Sequence, residues 1–120
     1  MNAPSRPSPA VDVQSLTGSC NRVLILATLS SGPHHGYQLA VEIEEMSGGA
    51  FRFRHGTLYP ILHKLEREGL IRGDWMEEPS RRRRKRYGLT AAGRQVLREQ
   101  TAAWREFRDR FFHVVEGRKS

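Results

Sequence analysis

The sequence predicts a mainly α-helical fold with one small β-hairpin and a long final helix. Three observations support this prediction. Three segments between residues 15 and 68 carry apolar residues at helical spacing. Residues 70–89 alternate in polarity on both sides of a short polar link. Residues 90–116 repeat apolar residues every seven positions. With 120 residues in total, the chain has room for one compact domain.

The N-terminal segment, residues 1–14, is expected to be a disordered tail. It carries three prolines among Ser, Asn and Ala, and such a composition buries too little apolar surface to offset the entropy lost on folding. A first helix is expected from Ser15 or Leu16 up to the stop at Ser31-Gly32-Pro33. Its apolar residues, which predict a buried helix, are Val23, Leu24, Leu26, Ala27 and Leu29.

The second helix is expected to begin after a turn at His34-His35-Gly36. It carries an i, i+4, i+7 apolar stripe, which is typical of a helix with one buried face. The stripe consists of Leu39, Ile43 and Met46. Ser47-Gly48-Gly49 then ends the helix, because glycine readily adopts the left-handed conformation found after helix C-termini.

The third helix is expected from Gly56-Thr57 to Glu68, with Thr57 as the N-cap and Gly69 as the C-terminal stop. Its buried stripe consists of Leu58, Ile61, Leu62 and Leu65. The residues left facing outward are Thr57, Tyr59, Pro60, His63, Lys64 and Arg67. This helix therefore has one apolar face and one polar, partly cationic face.

Residues 70–76 suggest a short strand, and the polar residues 77–80 then lead into a basic run and a second strand. Period-two alternation puts Lys85, Tyr87 and Leu89 on one face and Arg84 and Arg86 on the other. The two strands form a hairpin with a cationic tip. Because an isolated hairpin is marginally stable in water, we expect it to pack against the helices.

The last helix is expected to start after Thr90, which is a suitable N-cap residue. Apolar residues recur every seven positions at Leu97, Trp104 and Phe111, with Phe107 and Val114 between them. A seam of this period is typical of helices that pair with another helix. Since it lies on a terminal helix of a small domain, we expect it to pair with a second copy of the chain.

The net charge of +7 comes almost entirely from one run, Arg81-Arg82-Arg83-Arg84-Lys85-Arg86, whose six positive charges leave the rest nearly neutral. A concentrated cationic patch indicates a polyanionic partner, either nucleic acid or an anionic membrane surface. Such a run is also typical of a merely solvated surface. Its position between two strands, next to a helix-turn-helix pattern, favours DNA, with Arg81 and Arg83 nearest the tip as the expected phosphate partners.

Three helices, a hairpin and a protruding final helix, in this order, describe a winged helix-turn-helix domain with a long C-terminal dimerisation helix. A major groove about 12 Å wide accepts a helix that is packed on one face and polar on the other. An Arg-rich hairpin tip then reaches the adjoining backbone or minor groove. We therefore expect a winged helix-turn-helix DNA-binding domain in residues 15–89 and a dimerisation helix in residues 90–116.

The chain also resembles the PadR-type transcriptional regulators, over about residues 16–115. The resemblance rests on His35-Gly36-Tyr37-Gln38-Leu39, Ser47-Gly48-Gly49-Ala50-Phe51, Gly56-Thr57-Leu58-Tyr59-Pro60-Ile61-Leu62, Lys64-Leu65-Glu66, Glu68-Gly69-Leu70-Ile71, and Arg84-Lys85 with Tyr87, Leu89-Thr90 and Gly93. The single helix after the wing is similar to that of the smaller subgroup of this family.

The resemblance implies a dimer that regulates transcription, usually as a repressor on an inverted repeat. Some members release DNA when they bind phenolic acids, drugs or other flat aromatic molecules. By position, it implies that Thr57, Tyr59, His63 and Lys64 face DNA and that Arg82, Arg84 and Lys85 belong to the wing. The family commonly has Gly near position 81 and an aromatic residue at 86. Here Arg81 and Arg86 occur instead, which increases the charge of the wing.

Several residues fit two interpretations. Tyr59 fits a DNA contact or a half-buried aromatic, and His63 and Lys64 fit base recognition or phosphate anchoring. Trp104 fits ordinary dimer packing or stacking against a planar ligand between protomers. The residues of this expected dimer or effector surface are Leu97, Trp104, Phe107 and Phe111. A winged helix can also be a pure protein- or RNA-interaction module, but a polar third helix beside a cationic wing favours double-stranded DNA.

No enzymatic activity, cofactor or metal is expected. The glutamates show no catalytic spacing and no phosphate loop or nucleophile motif occurs, and Cys20, His34 and His35 do not make up a four-ligand zinc set. A lone cysteine is typical of a reducing compartment. No segment reaches the roughly 18 apolar residues of a membrane span. We therefore expect a soluble, cytoplasmic protein.

Overall fold

The structure, a computed structural model, describes residues 13–80 and 82–117. The elements in chain order are helix α1 (Val13–Leu29), strand β1 (His34–His35), helix α2 (Gly36–Met46), helix α3 (His55–Arg67), strand β2 (Ile71–Glu77), strand β3 (Arg83–Leu89) and helix α4 (Ala91–Val115). The predicted mainly α-helical, winged fold with a long C-terminal helix is confirmed.

Helix α1 begins at Val13, two residues before the predicted start, and the rest of the predicted tail lies outside the described residues. Ile25, Leu26 and Leu29 are buried in the core. Ala27, predicted to be buried, is exposed, because it lines an open groove between α1 and the end of α2. None of the helices in residues 13–80 and 82–117 has both the length and the apolar character needed to cross a membrane.

Helix α2 packs through Leu39 and Ile43, and glycines with positive φ at 48 and 49 follow its end, as predicted. Met46, predicted as part of the buried stripe, is 76% exposed, because the last turn of the helix extends past the core. The predicted turn before α2 is wrong. His34 and His35 instead form strand β1, which pairs with β3.

The sheet therefore has three antiparallel strands in the order β1-β3-β2, where two strands were predicted. In the wing formed by β2 and β3, Gly73 lies opposite Tyr87, Trp75 opposite Lys85, and Glu77 opposite Arg83. Tyr87 is only 2% exposed and belongs to the same core as the helices. This buried ring fixes the sheet against the helical layer, as expected for a hairpin too small to be stable alone.

Helix α3 starts at His55, and the position before it is Arg54, so the prediction of Thr57 as the N-cap is wrong. The backbone N–H of Thr57 already donates to the Arg54 carbonyl, which puts Thr57 inside the first turn. Leu58, Leu62 and Leu65 are buried. The helix ends before Gly69, whose φ of +77° confirms the predicted stop.

Helix α4 is capped by Thr90, as predicted: the hydroxyl accepts a hydrogen bond from the Gly93 N–H at 3.0 Å. Thr90 also bonds back to the Leu70 carbonyl at the base of the wing. Gly93 is buried there, and a Cβ atom on it would overlap the Leu70 carbonyl oxygen. From this junction α4 packs along α1 and, at 25 residues, spans about 37 Å.

Candidate nucleic-acid interface

The outward face of α3 is divided between two sides of the helix. At 100° per residue, Tyr59, His63 and Arg67 form a row spaced by four residues, and His63 and Arg67 are exposed. Thr57 and Lys64 are exposed on the other edge, where Lys64 lies in a hollow with Asn21 of α1. The structure thus directs the Tyr59–His63 side toward the wing and Lys64 toward α1.

Tyr59 is exposed over 36% of its surface. Its ring lies over Gly36 at the start of α2, and a Cβ atom at Gly36 would be 2.9 Å from the Tyr59 hydroxyl oxygen. Glycine is therefore required at position 36 for this packing. One edge of the tyrosine ring thus packs within the fold, and the other edge is accessible to a partner.

The tip of the wing is closed by a backbone hydrogen bond of 2.9 Å from the Glu78 N–H to the Arg82 carbonyl. The side chains of Arg82 and Arg83 are exposed there. Arg81, predicted to contact phosphate, lies outside the described residues. The hydrogen-bonded tip thus presents two arginines at the surface of the wing.

Strand geometry divides the remaining wing cations between two faces. Arg83 and Lys85 share the face of Trp75, which looks toward α3. Arg84 is on the opposite face, where its Nη1 atom lies 3.6 Å from Glu78 Oε1. His35 Nε2 lies 3.8 Å from the other oxygen of Glu78. Part of the charge of Arg84 is therefore balanced within the wing, whereas Arg83 has no ion pair among the described residues.

Lys85 is tied to α3. Its ammonium group donates a 2.9 Å hydrogen bond to Glu66 Oε1 and lies 5.5 Å above the Tyr87 ring. The Glu66 carboxylate raises the pKa of Lys85 above its ordinary value, although burial acts in the opposite direction. The pKa of Tyr87 is also raised above its ordinary value, in this case because the side chain is buried. Because the raised value favours the charged lysine, the shift stabilises the fold at neutral pH, and this contribution is lost as the pH rises through the folded-state pKa of Lys85.

Gly73 makes this ion pair possible. A Cβ atom at Gly73 would overlap Lys85 Cε and lie 3.1 Å from Glu66 Oε2. This arrangement could not be predicted from the sequence, because it depends on contacts among β2, β3 and α3.

We therefore expect Gly73→Ala to destabilise the protein by up to about 1 kcal/mol, because the added methyl group displaces Lys85 from its partly exposed ion pair with Glu66. The matched control is Gly88→Ala in the partner strand, where a Cβ atom would meet no atom within 4 Å. Gly88→Ala should be neutral or slightly stabilising, since alanine is favoured over glycine inside a strand. Urea denaturation measures both, and equal stabilities for the two variants would contradict the role given to Gly73.

A cleft of about 290 Å³ separates α3 from the wing. Of the residues predicted to contact DNA, the cleft brings together Tyr59, His63, Arg83, Arg84 and Lys85. It is also lined by residues that sequence analysis did not assign to the site, among them His35, Tyr37 and Trp75. For Trp75, the available sequence signal was an aromatic residue in the predicted strand that precedes the basic run.

The aromatic residues of α4 form a continuous row. The ring centroids of Trp104 and Phe107 are 5.6 Å apart, and those of Phe107 and Phe111 are 5.5 Å apart. Leu97 packs against the core of its own chain, whereas Phe111 is 46% and Val114 is 74% exposed. The inner end of the predicted seam thus packs against the core of the monomer, and its outer end is apolar and exposed to solvent.

Trp104 lies between these two ends of the seam and is partly buried. Its indole Nε1 atom is buried and has no hydrogen-bond acceptor among the residues that the structure describes. A buried N–H group without a partner is unusual in a folded protein.

The two histidines of β1 have carboxylate neighbours. His34 Nε2 lies 2.7 Å from Glu42 Oε1 on α2, and His35 is next to Glu78 as described above. Over the described part of the chain, no three His, Cys, Asp or Glu side chains are close enough together to hold a metal ion. These contacts connect β1 to α2 and to the tip of the wing.

The profile of the Transcriptional regulator PadR-like family matches residues 25–99. The chain belongs to this family. A transcriptional regulator of Mycobacterium tuberculosis is similar to this PadR-like chain, with 38% identity over 85 residues that cover 71% of the chain and 76% of the relative. The motifs recognised in the sequence therefore identified the family correctly.

Two further proteins are similar to this PadR-like chain. An uncharacterized 37.1 kDa protein in a transposon of Streptomyces fradiae is 36% identical over 91 residues, covering 76% of this chain. The match spans only 25% of the length of that protein. Among solved structures, Bacillus subtilis PadR in complex with operator DNA is similar with a TM-score of 0.62 and 30% identity, covering 67% of this chain and 45% of that one.

Proposed function

We propose that this PadR-like regulator binds double-stranded DNA in a sequence-specific manner as a homodimer and represses transcription. The observation that carries the proposal is the cleft in which the polar face of α3 meets the cationic wing. A helix exposed in this way fits a major groove, and an adjoining cationic wing fits the phosphate backbone. The similarity to a PadR protein whose structure contains operator DNA supports the same function.

The residues take different roles in this proposal. Tyr59, His63, Thr57 and Lys64 of α3 meet base edges and nearby phosphates. The wing arginines, Arg81 to Arg84, meet the backbone. Lys85 was predicted to contact DNA, but its ion pair with Glu66 supports a different role, which is to hold the wing at a fixed distance from α3.

Two-fold symmetry of a homodimer requires an operator made of two inverted half-sites. We expect half-sites about one helical turn apart, roughly 34–36 Å, and we expect His63→Ala to relax base preference at positions within each half-site. Selection of bound fragments from genomic DNA, followed by sequencing, measures both.

The matched control for this experiment is His113→Ala, which removes an exposed histidine from the far end of α4 and should leave the selected sequence unchanged. Enrichment of asymmetric sites, or full sequence preference in His63→Ala, would contradict the assignment of α3 as the recognition helix. Failure of the wild-type protein to enrich any sequence would overturn the proposed function itself.

We also propose that a flat aromatic molecule binds between protomers beside Trp104 and releases DNA. Two observations support this assignment: the buried indole N–H has no acceptor in residues 13–80 and 82–117, and the Phe107 ring is adjacent to it. In a Trp75→Phe background Trp104 is the only tryptophan, so we expect its fluorescence to be quenched by some member of a panel of phenolic acids and planar dyes. The Trp104→Phe protein serves as the control. Absence of quenching across the panel would count against the effector.

A further inference from the structure

We propose that Trp75 is a DNA-contacting residue of the wing, whose indole packs against the sugar–phosphate backbone next to the groove that α3 enters. The inference rests on the proposed function and adds a residue to it. Trp75 on β2 is 58% exposed, although Tyr87, which lies on the same face of the sheet in β3, is buried. The fold does not explain this exposure. An indole left in water on a binding surface indicates a contact with a partner.

The surroundings of Trp75 hold the ring in place. The Arg83 guanidinium carbon lies 5.4 Å from the centre of the indole, and Lys85 Nζ lies 5.8 Å from it. Cations at these distances are attracted to the electron-rich face of an indole. These two contacts favour one orientation of the ring, so less side-chain freedom is lost when it meets a partner.

The charges next to the ring indicate the chemistry of that partner. Lys85 is neutralised by Glu66, but Arg83 forms no ion pair within residues 13–80 and 82–117. An apolar ring beside an uncompensated guanidinium matches a surface that alternates apolar sugars with phosphates, which is the backbone of a nucleic acid.

The same cations disfavour base stacking. A single-stranded base that stacks on an aromatic ring needs access to its face, and Arg83 and Lys85 both lie over the indole ring of Trp75, where a base would compete with them. Trp75 and His63 line the same cleft, so the backbone that Trp75 contacts adjoins the groove occupied by α3. The duplex is therefore the expected partner.

A backbone contact can be tested without knowing the operator. In the Trp104→Phe protein, Trp75 is the only tryptophan, so its fluorescence can be followed on its own. The probe is a random-sequence duplex at low salt. We expect a saturable change in Trp75 fluorescence with the duplex and a smaller one with the single strand of the same sequence. Trp75→Ala should weaken duplex binding roughly tenfold, whereas Trp75→Phe should retain most of the affinity.

Salt dependence separates Trp75 from its neighbour. Trp75→Ala removes no charge, so the slope of log affinity against log salt should not change, whereas Arg83→Gln should lower the slope by up to about 1.8 in a dimer. The matched control is Phe51→Ala. Phe51 is an exposed aromatic that lines the groove between α1 and the end of α2, away from the cleft between α3 and the wing, so this variant should have wild-type affinity. Circular dichroism confirms that each variant is folded.

Each outcome is decisive. Duplex binding with unchanged Trp75 fluorescence and wild-type affinity of Trp75→Ala would overturn this inference and leave the proposed function intact. A larger loss on the single strand would replace the backbone contact by base stacking and overturn it as well. Failure of the wild-type protein to bind any duplex at low salt would overturn the proposed function and this inference together.

Discussion

Replacing Trp104 and Phe111 by alanine is expected to convert a dimer into monomers at micromolar concentration. Loss of a packed aromatic side chain costs about 3–5 kcal/mol, and each residue occurs twice in a symmetric interface. Because every 1.4 kcal/mol is about a tenfold change in the association constant, the dimer should weaken by at least about 100-fold. Sedimentation equilibrium of both proteins measures this difference.

Single variants separate the interface from the monomer. Phe111 is 46% exposed in the chain described here, so Phe111→Ala alone should weaken association while changing monomer stability little. His113→Ala, on the opposite side of the same helix, should leave association unchanged. A wild-type protein that sediments as a stable monomer at micromolar concentration would rule out the dimer.

The second large effect concerns salt. Replacing Arg82 and Arg83 by alanine removes two exposed cations from each wing tip, and therefore four from a dimer. Each lost phosphate contact lowers the slope of log affinity against log salt by about 0.9, so the slope should fall by up to roughly 3.6. Affinity should decrease on specific and random DNA alike, because backbone contacts do not read bases. Titrations at four or more salt concentrations measure the slope.

The matched control removes the same number of charges elsewhere. Arg98 and Arg105 are exposed on α4, and replacing both by alanine should leave the slope nearly unchanged. Arg81 belongs to the same predicted set of phosphate contacts, so adding Arg81→Ala to the wing variant should lower the slope further. An unchanged slope in the Arg82 and Arg83 variant would mean that the cationic run is only a solvated tip.

The order of the elements could be predicted because the signals that end helices and strands are local. Gly69 adopts the left-handed conformation that stops α3 and Thr90 caps α4, as their residue types indicate. The two-residue strand at His34–His35 could not be predicted, because a strand so short has no alternation. Thr57 failed as a cap because the N-cap position lies three residues earlier, at Arg54, whose side chain makes no capping hydrogen bond.

The candidate site was predictable in its charge and less so in its geometry. Alternation along β3 correctly indicated that Lys85 and Tyr87 share a face. It did not indicate that Lys85 would bond to Glu66, since that contact depends on the space left at Gly73 in a third element. The exposed position of Trp75 has the same origin, because pairing between strands, and not the sequence of one strand, decides which ring lies beside which cation.

The root of α4 has a mechanical consequence. Because the backbone at Gly93 lies directly against the Leu70 carbonyl, and Thr90 hydrogen-bonds to that carbonyl, the helix has no flexible linker at its base. A rigid lever of about 37 Å turns a rotation of 5° at its root into a displacement of about 3 Å at its far end. In the proposed homodimer, a shift of a few ångströms where the two α4 helices meet would therefore re-aim both wings. The spacing of the half-sites in the proposed operator would then be set by how the distant ends of these helices pack.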